Sequence, residues 1–149
     1  MENKLDTFFD HDRNVNRLIK EWKEHNGIII AFDFDNTIYD YHNKGCVYDN
    51  VIELLKLCKK EGCTLILYSC NNSSEKIDFM KEYLNSIDLE IDYVNKSPDN
   101  IPFGNEGSKI YFNILLDDRA GLFESYKILK DTYNEIKKGW LKWKMVKWY

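Results

Sequence analysis

Two runs of apolar residues constrain the fold of this chain more than any other feature. Residues 28–32 and 64–68 are rich in β-branched and aliphatic residues and lack the alternation of a half-exposed strand. Such runs are typical of strands that are buried on both faces of a parallel sheet. Residues 90–94 and 113–117 predict two more strands of the same sheet.

Segments with helical spacing of apolar residues lie between and around these strands. The pattern predicts helices over residues 14–25, 50–60 and 122–137. Asn72 stands three residues before Glu75, which is typical of a capping box and predicts another helix after the second strand. Alternating strands and helices indicate an α/β fold, namely a Rossmann-like domain with helices on both faces of a parallel sheet.

The length of 149 residues predicts a single domain over residues 1–149. We expect residues 1–26 to form a helical extension at its N-terminus. Residues 138–149 form a basic aromatic tail, in which lysines alternate with tryptophans and a tyrosine. This tail can bind an anionic partner or pack its rings on the domain, and we favour packing.

The composition predicts a cytoplasmic protein. The N-terminal residues lack a signal peptide pattern, and no apolar run is long enough to span a bilayer. The four cysteines form no Cys-x-x-Cys pair, which argues against a zinc or dithiol site. The net charge of −4 does not favour nucleic acid as a partner, although such binding stays open.

Acidic side chains directly follow the apolar strands. Asp33 and Asp35 come after the first strand, Asp117 and Asp118 end the last one, and Ser69 follows the second. The carboxyl ends of parallel strands share one edge of the sheet, where ligands bind. Four carboxylates at that edge are costly without a cation. A hard divalent cation suits these oxygen ligands, and Mg²⁺ suits them best because it retains several of its waters.

The same residues resemble the haloacid dehalogenase superfamily. Its first motif, Asp-x-Asp-x-Thr, matches Asp33, Asp35 and Thr37, with Asn36 where many members have glycine. Ser69 resembles the second motif, and the pair Asp117-Asp118 resembles the fourth. The resemblance covers about residues 28–122.

The resemblance implies a role for each matching residue. Asp33 would attack phosphorus, and Asp35 would act first as acid and then as base. Mg²⁺ would be held by Asp33, the Asp35 carbonyl oxygen and Asp117, with Asp118 as a ligand or water holder. The phosphoryl group would be bound by Ser69 and by the loop that contains Asn36 and Thr37.

The third motif of that family is a lysine that offsets phosphate charge, and two residues compete for it. Lys96 lies two residues after the third predicted strand, so topology favours it. Lys109 lies in a segment like those that carry the lysine in small family members, so the resemblance favours it. Both therefore stay candidates for a catalytic role.

The short connections between motifs leave no room for the cap domains that many family members carry. We therefore expect a capless phosphatase, acting on a phosphorylated small molecule or a macromolecular end. The alternatives are a phosphotransferase, a polynucleotide 3′-phosphatase and a non-catalytic phosphate-binding module. Oligomerisation and the physiological substrate stay open.

Overall fold

Four strands and four helices follow one another in the computed structural model, which describes residues 7–101 and 107–146 without the side chains of residues 7 and 140–146. A short 3-10 helix at Thr7–Phe9 precedes them. The helices are α1 (His11–His25), α2 (Asp49–Lys60), α3 (Ser74–Ser86) and α4 (Leu122–Val146). The strands are β1 (Ile29–Phe32), β2 (Thr64–Leu67), β3 (Tyr93–Val94) and β4 (Ile114–Leu116).

The four strands form one parallel sheet in the order β3-β2-β1-β4. β1 lies inside the sheet and pairs with β2 on one side and β4 on the other. Phe32 is level with Leu67 and with Leu116, so these three strands end at the same height. The predicted α/β fold with a parallel sheet is confirmed.

Both faces of the sheet are covered, as the continuous apolar runs predict. Ile30, Ala31 and Phe32 are fully buried although consecutive strand residues point to opposite faces. The core includes buried side chains from all four helices, among them Leu18 and Trp22, Leu54 and Leu55, Met80 and Leu84, and Leu129 and Ile136. α1 packs against α4, so the segment expected to be an extension contributes to the core of the domain.

The connections after the first two strands are short. Residues 33–48 contain no helix or strand, and α3 is the only such element in residues 68–92. Neither segment holds an inserted domain, as expected for a single domain without a cap. No helix of the described part of the chain is long and apolar enough to cross a membrane.

Two helix boundaries differ from the predicted ones. The N-cap of α3 is Ser73 rather than Asn72, because Ser73 has an extended backbone and its hydroxyl accepts a hydrogen bond from the Lys76 N–H. α4 ends at Val146 instead of residue 137, so the helix runs into the basic aromatic tail. The packing predicted for the rings of that tail concerns side chains outside the described residues.

Candidate active site at the carboxyl edge of the sheet

The strand order creates a crevice at the carboxyl ends of β1 and β4. The chain moves from β1 outward to β2 and β3 and then returns to the other side of β1, which is the arrangement at which α/β sheets bind ligands. The Asp33 N–H donates to the Leu116 carbonyl oxygen at 2.9 Å. Asp33 and Asp117, the residues that follow β1 and β4, therefore leave the sheet side by side.

Three of the predicted carboxylates meet in this crevice. One oxygen from each of Asp33, Asp117 and Asp118 lies within 4.8 Å of the others. Burial of Asp33, followed by its hydrogen bond with Asp118, raises the pKa of Asp33 to about 7, and the charge of Asp117 adds to this effect. Without a cation, Asp33 therefore retains a proton up to neutral pH.

The chemistry of this donor set suits a hard divalent cation. Carboxylate oxygens are the ligands that Mg²⁺ and Ca²⁺ take, and a cation here would offset both the burial and the neighbouring charges that raise the pKa of Asp33. Asp117 also accepts a hydrogen bond from the Arg119 N–H at 2.9 Å, which fixes its carboxylate. The carboxylate of Asp35 lies outside this cluster and pairs with Lys76.

The turn that follows β1 is tightly hydrogen-bonded. The Phe34 carbonyl oxygen accepts from the N–H groups of Ile38 and Tyr39, both at 3.1 Å, and the Asn36 N–H donates to the Tyr39 carbonyl oxygen at 2.8 Å. The backbone φ angle of Asn36 is 59°, which is a left-handed conformation that asparagine adopts more readily than most residues. This conformation explains why asparagine can stand where the resembling family often has glycine.

Thr37 joins the two loops of the crevice. Its side chain is fully buried, and its hydroxyl accepts a hydrogen bond from the Asp118 N–H at 3.2 Å. Because that contact spans from the β1 loop to the β4 loop, Thr37 fixes Asp118 relative to Asp33. The sequence placed Thr37 at the site, and its observed contact is with the protein backbone.

Ser69 is held by a residue that the sequence did not indicate. The Asn95 side-chain oxygen accepts from the Ser69 N–H at 2.8 Å, and the Asn95 N–H donates to the Leu67 carbonyl oxygen at 2.9 Å. The Ser69 hydroxyl accepts from the Asn71 N–H at 3.3 Å, which leaves its own proton to donate. A signal was present, since Asn95 directly follows a predicted strand.

Lys76 is the second residue that sequence reasoning missed. Its Nζ lies 3.2 Å from Asp35 Oδ1, and its side chain is only 18 % exposed. Lys76 is the third residue of α3, the helix that follows β2. The first turn of such a helix lies near the carboxyl edge of the sheet, and this is the signal that could have identified it.

The two predicted lysines lie in other surroundings. Lys96 Nζ is 3.1 Å from Asp99 Oδ1 and lies over the ring of Tyr93, and the Lys96 side chain is 55 % exposed. Lys109 is exposed and follows residues 102–106, which are outside the described residues. The choice between Lys96 and Lys109 as a phosphate-binding residue therefore stays a prediction.

Comparison with known proteins supports the fold. No protein-family model matches this sequence, and no curated protein matches it significantly. The chain is similar to a solved structure described as the conserved protein coded by a locus from Bacteroides thetaiotaomicron. The two share 29 % sequence identity at a TM-score of 0.56, over 76 % of this chain and 93 % of that one. That description names no activity, so the similarity bears on the architecture.

Proposed function

We propose that this chain is a magnesium-dependent phosphomonoester hydrolase that forms an aspartyl phosphate on Asp33. The observation that carries the proposal is the crowding of Asp33, Asp117 and Asp118 at the end of a central strand, with the pKa of Asp33 raised to about 7. Carboxylates that repel one another lower stability, and strongly shifted pKa values concentrate at functional sites.

The spacing of the aspartates supports this reaction over simple ion binding. Asp35 stands two residues after Asp33, outside the three-carboxylate cluster and paired with Lys76. Asp33, inside the cluster that would bind the cation, can serve as the nucleophile. Asp35, outside that cluster, can serve as a separate proton carrier. The resemblance to the haloacid dehalogenase superfamily assigns the same two roles.

Asp33, Asp117 and Asp118 would hold the cation with their carboxylate oxygens, and the Asp35 carbonyl oxygen is the further ligand that the resemblance implies. Mg²⁺ at these groups would supply positive charge that favours their ionised forms and offsets the charge of the phosphoryl oxygens.

The reaction then has two balanced steps. An Asp33 oxygen attacks phosphorus, the bond from phosphorus to the leaving oxygen breaks, and Asp35 gives that oxygen a proton. Water next attacks the phosphorus of the aspartyl phosphate and gives a proton to Asp35, and the bond to Asp33 breaks to release inorganic phosphate. Ser69, with its hydroxyl proton available, would donate to a phosphoryl oxygen.

No domain is inserted in residues 33–48 or 68–92, so neither of these segments covers the carboxyl edge. An open site admits a phosphorylated small molecule or the phosphorylated end of a macromolecule. Three exposed aromatic side chains from residues near this edge, Tyr41, Tyr68 and Phe79, provide apolar surface for a leaving group.

A panel of sugar phosphates, nucleotides, phosphopeptides and 3′-phosphorylated oligonucleotides tests the proposal. We expect phosphate release from at least one class with Mg²⁺, and none with excess chelator. Asp117→Asn should raise the Mg²⁺ concentration needed, whereas Asp88→Asn, which removes an exposed carboxylate after the C-terminal end of α3, should not. Full activity in chelator would contradict the metal requirement, and transfer to an added alcohol without release would indicate a phosphotransferase.

A further inference from the structure

Lys76 occupies a position that is unfavourable for a cation. It lies in the first turn of α3, where the backbone N–H groups give the helix a positive end. The side chain is also largely buried, at 18 % exposed, and burial of an ammonium group is costly unless it is paired. Because both the helix end and burial disfavour the ammonium group, neighbouring side chains must stabilise its charge.

Asp35 and a set of aromatic rings provide that compensation. Lys76 Nζ lies 3.2 Å from Asp35 Oδ1, close enough for a charge-assisted hydrogen bond. The same Nζ is 5.2 Å from the ring centroid of Phe34, 5.4 Å from that of Phe79 and 5.8 Å from that of Tyr41. These distances are in the range of cation–π contacts.

The rings are themselves fixed to one another. Phe34 stacks on Tyr39 at 5.1 Å between centroids, and both rings meet Phe79 and Tyr83 edge to face. Phe34 and Tyr39 belong to the turn that contains Asp35, while Phe79 and Tyr83 belong to α3. The cluster therefore packs α3 against the β1 loop and fixes the position from which Lys76, in the first turn of the same helix, reaches Asp35.

We infer that Lys76 is a positioning residue, which holds Asp35 Oδ1 so that the other carboxylate oxygen, Oδ2, exchanges the proton with the leaving oxygen and then with water. The inference rests on the proposed hydrolase reaction and adds a residue to it. Neither lysine predicted from the sequence has this role, since Lys96 pairs with Asp99 and Lys109 is an exposed residue of another segment.

Two substrates with different leaving groups test this role. The leaving oxygen of an electron-poor aryl phosphate needs little protonation, whereas that of an alkyl phosphate needs a proton as the bond breaks. A misplaced Asp35 should therefore slow the alkyl ester more than the aryl ester. We expect Lys76→Met to lower kcat/KM about tenfold more for the alkyl ester than for the aryl ester, because kcat/KM reports the first step, in which the leaving oxygen departs.

Two further variants provide controls. Lys76→Arg keeps a cation that can reach a carboxylate and should recover part of the rate that Lys76→Met loses on the alkyl ester. Lys81→Met removes an exposed lysine from the same helix and should leave both rates unchanged. In melting experiments, the shifts caused by Lys76→Met and Asp35→Asn should not add in the double variant, because both break one contact.

The outcomes separate this inference from the proposed function. Equal losses on both esters would show that Lys76 acts on the phosphoryl group or on folding, and would overturn the positioning role alone. Additive melting shifts would also overturn it, by showing that Lys76 and Asp35 do not interact. A wild-type chain that hydrolyses neither these esters nor any member of the substrate panel would overturn the proposed function, and the inference with it.

Discussion

Polar side chains lie at both ends of β1, but they have complementary partners at the amino end and like-charged neighbours at the carboxyl end. At its amino end, the Asn113 side-chain oxygen accepts from the Ile29 N–H at 2.7 Å, and its amide donates to Glu21 at 3.0 Å. Arg17 also binds Glu21, at 3.0 Å, so the charge of that carboxylate is matched. At the carboxyl end, Asp33 faces like charges and a shared proton.

This difference separates stability from function within one strand. Paired polar groups at the amino end hold α1 and β4 to β1 and lower the free energy of the folded state. Like charges at the carboxyl end raise it, and such an arrangement is expected where a ligand supplies the missing charge. Substitutions at the amino end should therefore lower stability with little effect on activity. Substitutions at the carboxyl end should lower activity with little loss of stability.

The largest expected effect is on activity at the carboxyl end. Asp33→Asn keeps the shape of the side chain and removes the nucleophile, so kcat should fall by ~10³-fold or more. Its melting temperature should stay the same or rise in the absence of Mg²⁺, because one of the repelling carboxylates is gone. A variant that keeps more than a few per cent of the wild-type rate would contradict the role of Asp33.

At the amino end the main effect should be on stability. Asn113→Ala leaves the Ile29 N–H without its side-chain acceptor and removes a donor to Glu21, which should cost roughly 2–3 kcal/mol of unfolding free energy. Urea denaturation measures this loss. The kcat of the folded variant should match that of wild type, and a large loss of kcat without a loss of stability would break the distinction between the two ends.

The pH dependence of the free energy of unfolding should reflect the raised pKa of Asp33. Its pKa is raised from 3.8 to about 7, so the folded chain binds more protons than the unfolded chain between these values. Without divalent cations, the free energy of unfolding should therefore fall as pH rises from about 4 to about 7. We expect the loss from this group to be roughly 1–2 kcal/mol, since partial solvation reduces the full linkage value.

Asp33→Asn is the control for this pH effect. The variant lacks the titrating group, so its stability should fall less than that of wild type over the same pH range. Urea denaturation at several pH values, with chelator present, measures the difference. Parallel curves for the two chains would show that Asp33 is not the source.

The smallest effect concerns the cation. Protons compete with Mg²⁺ for Asp33, so Mg²⁺ should raise the melting temperature by a few degrees more at pH 8 than at pH 5. Asp118→Asn should reduce the rise, and Asp88→Asn, which removes an exposed carboxylate after the C-terminal end of α3, should not. A rise that is equal at both pH values would indicate binding elsewhere on the chain.

The sequence was sufficient to predict the sheet and the cluster of aspartates. Buried parallel strands require continuous apolar runs, and the carboxyl ends of such strands share an edge, so the proximity of Asp33 to Asp117 follows from topology alone. The contacts of Lys76 and Asn95 were not predicted. Their roles depend on how the first turn of α3 and the loop after β3 lie against the β1 and β2 loops, which side-chain packing determines.

Helix ends show the same limit on a smaller scale. Asn72 and Ser73 are both good N-cap residues, and only the backbone geometry shows that Ser73 serves. The apolar pattern predicts that the last helix ends at residue 137, before the basic aromatic tail, whereas α4 continues to Val146. Neighbouring residues of similar capping propensity are therefore not distinguished by the sequence alone.

Trapping of the covalent intermediate tests the central claim most directly. The chain would be mixed with a substrate identified from the panel, carrying a labelled phosphoryl group, in the presence of Mg²⁺. It would then be quenched in acid and digested. We predict label on the peptide that contains Asp33, released by hydroxylamine as expected for an acyl phosphate, absent in Asp33→Asn and longer-lived in Asp35→Asn. Rapid phosphate release by a wild-type chain that never carries label on Asp33 would contradict the account.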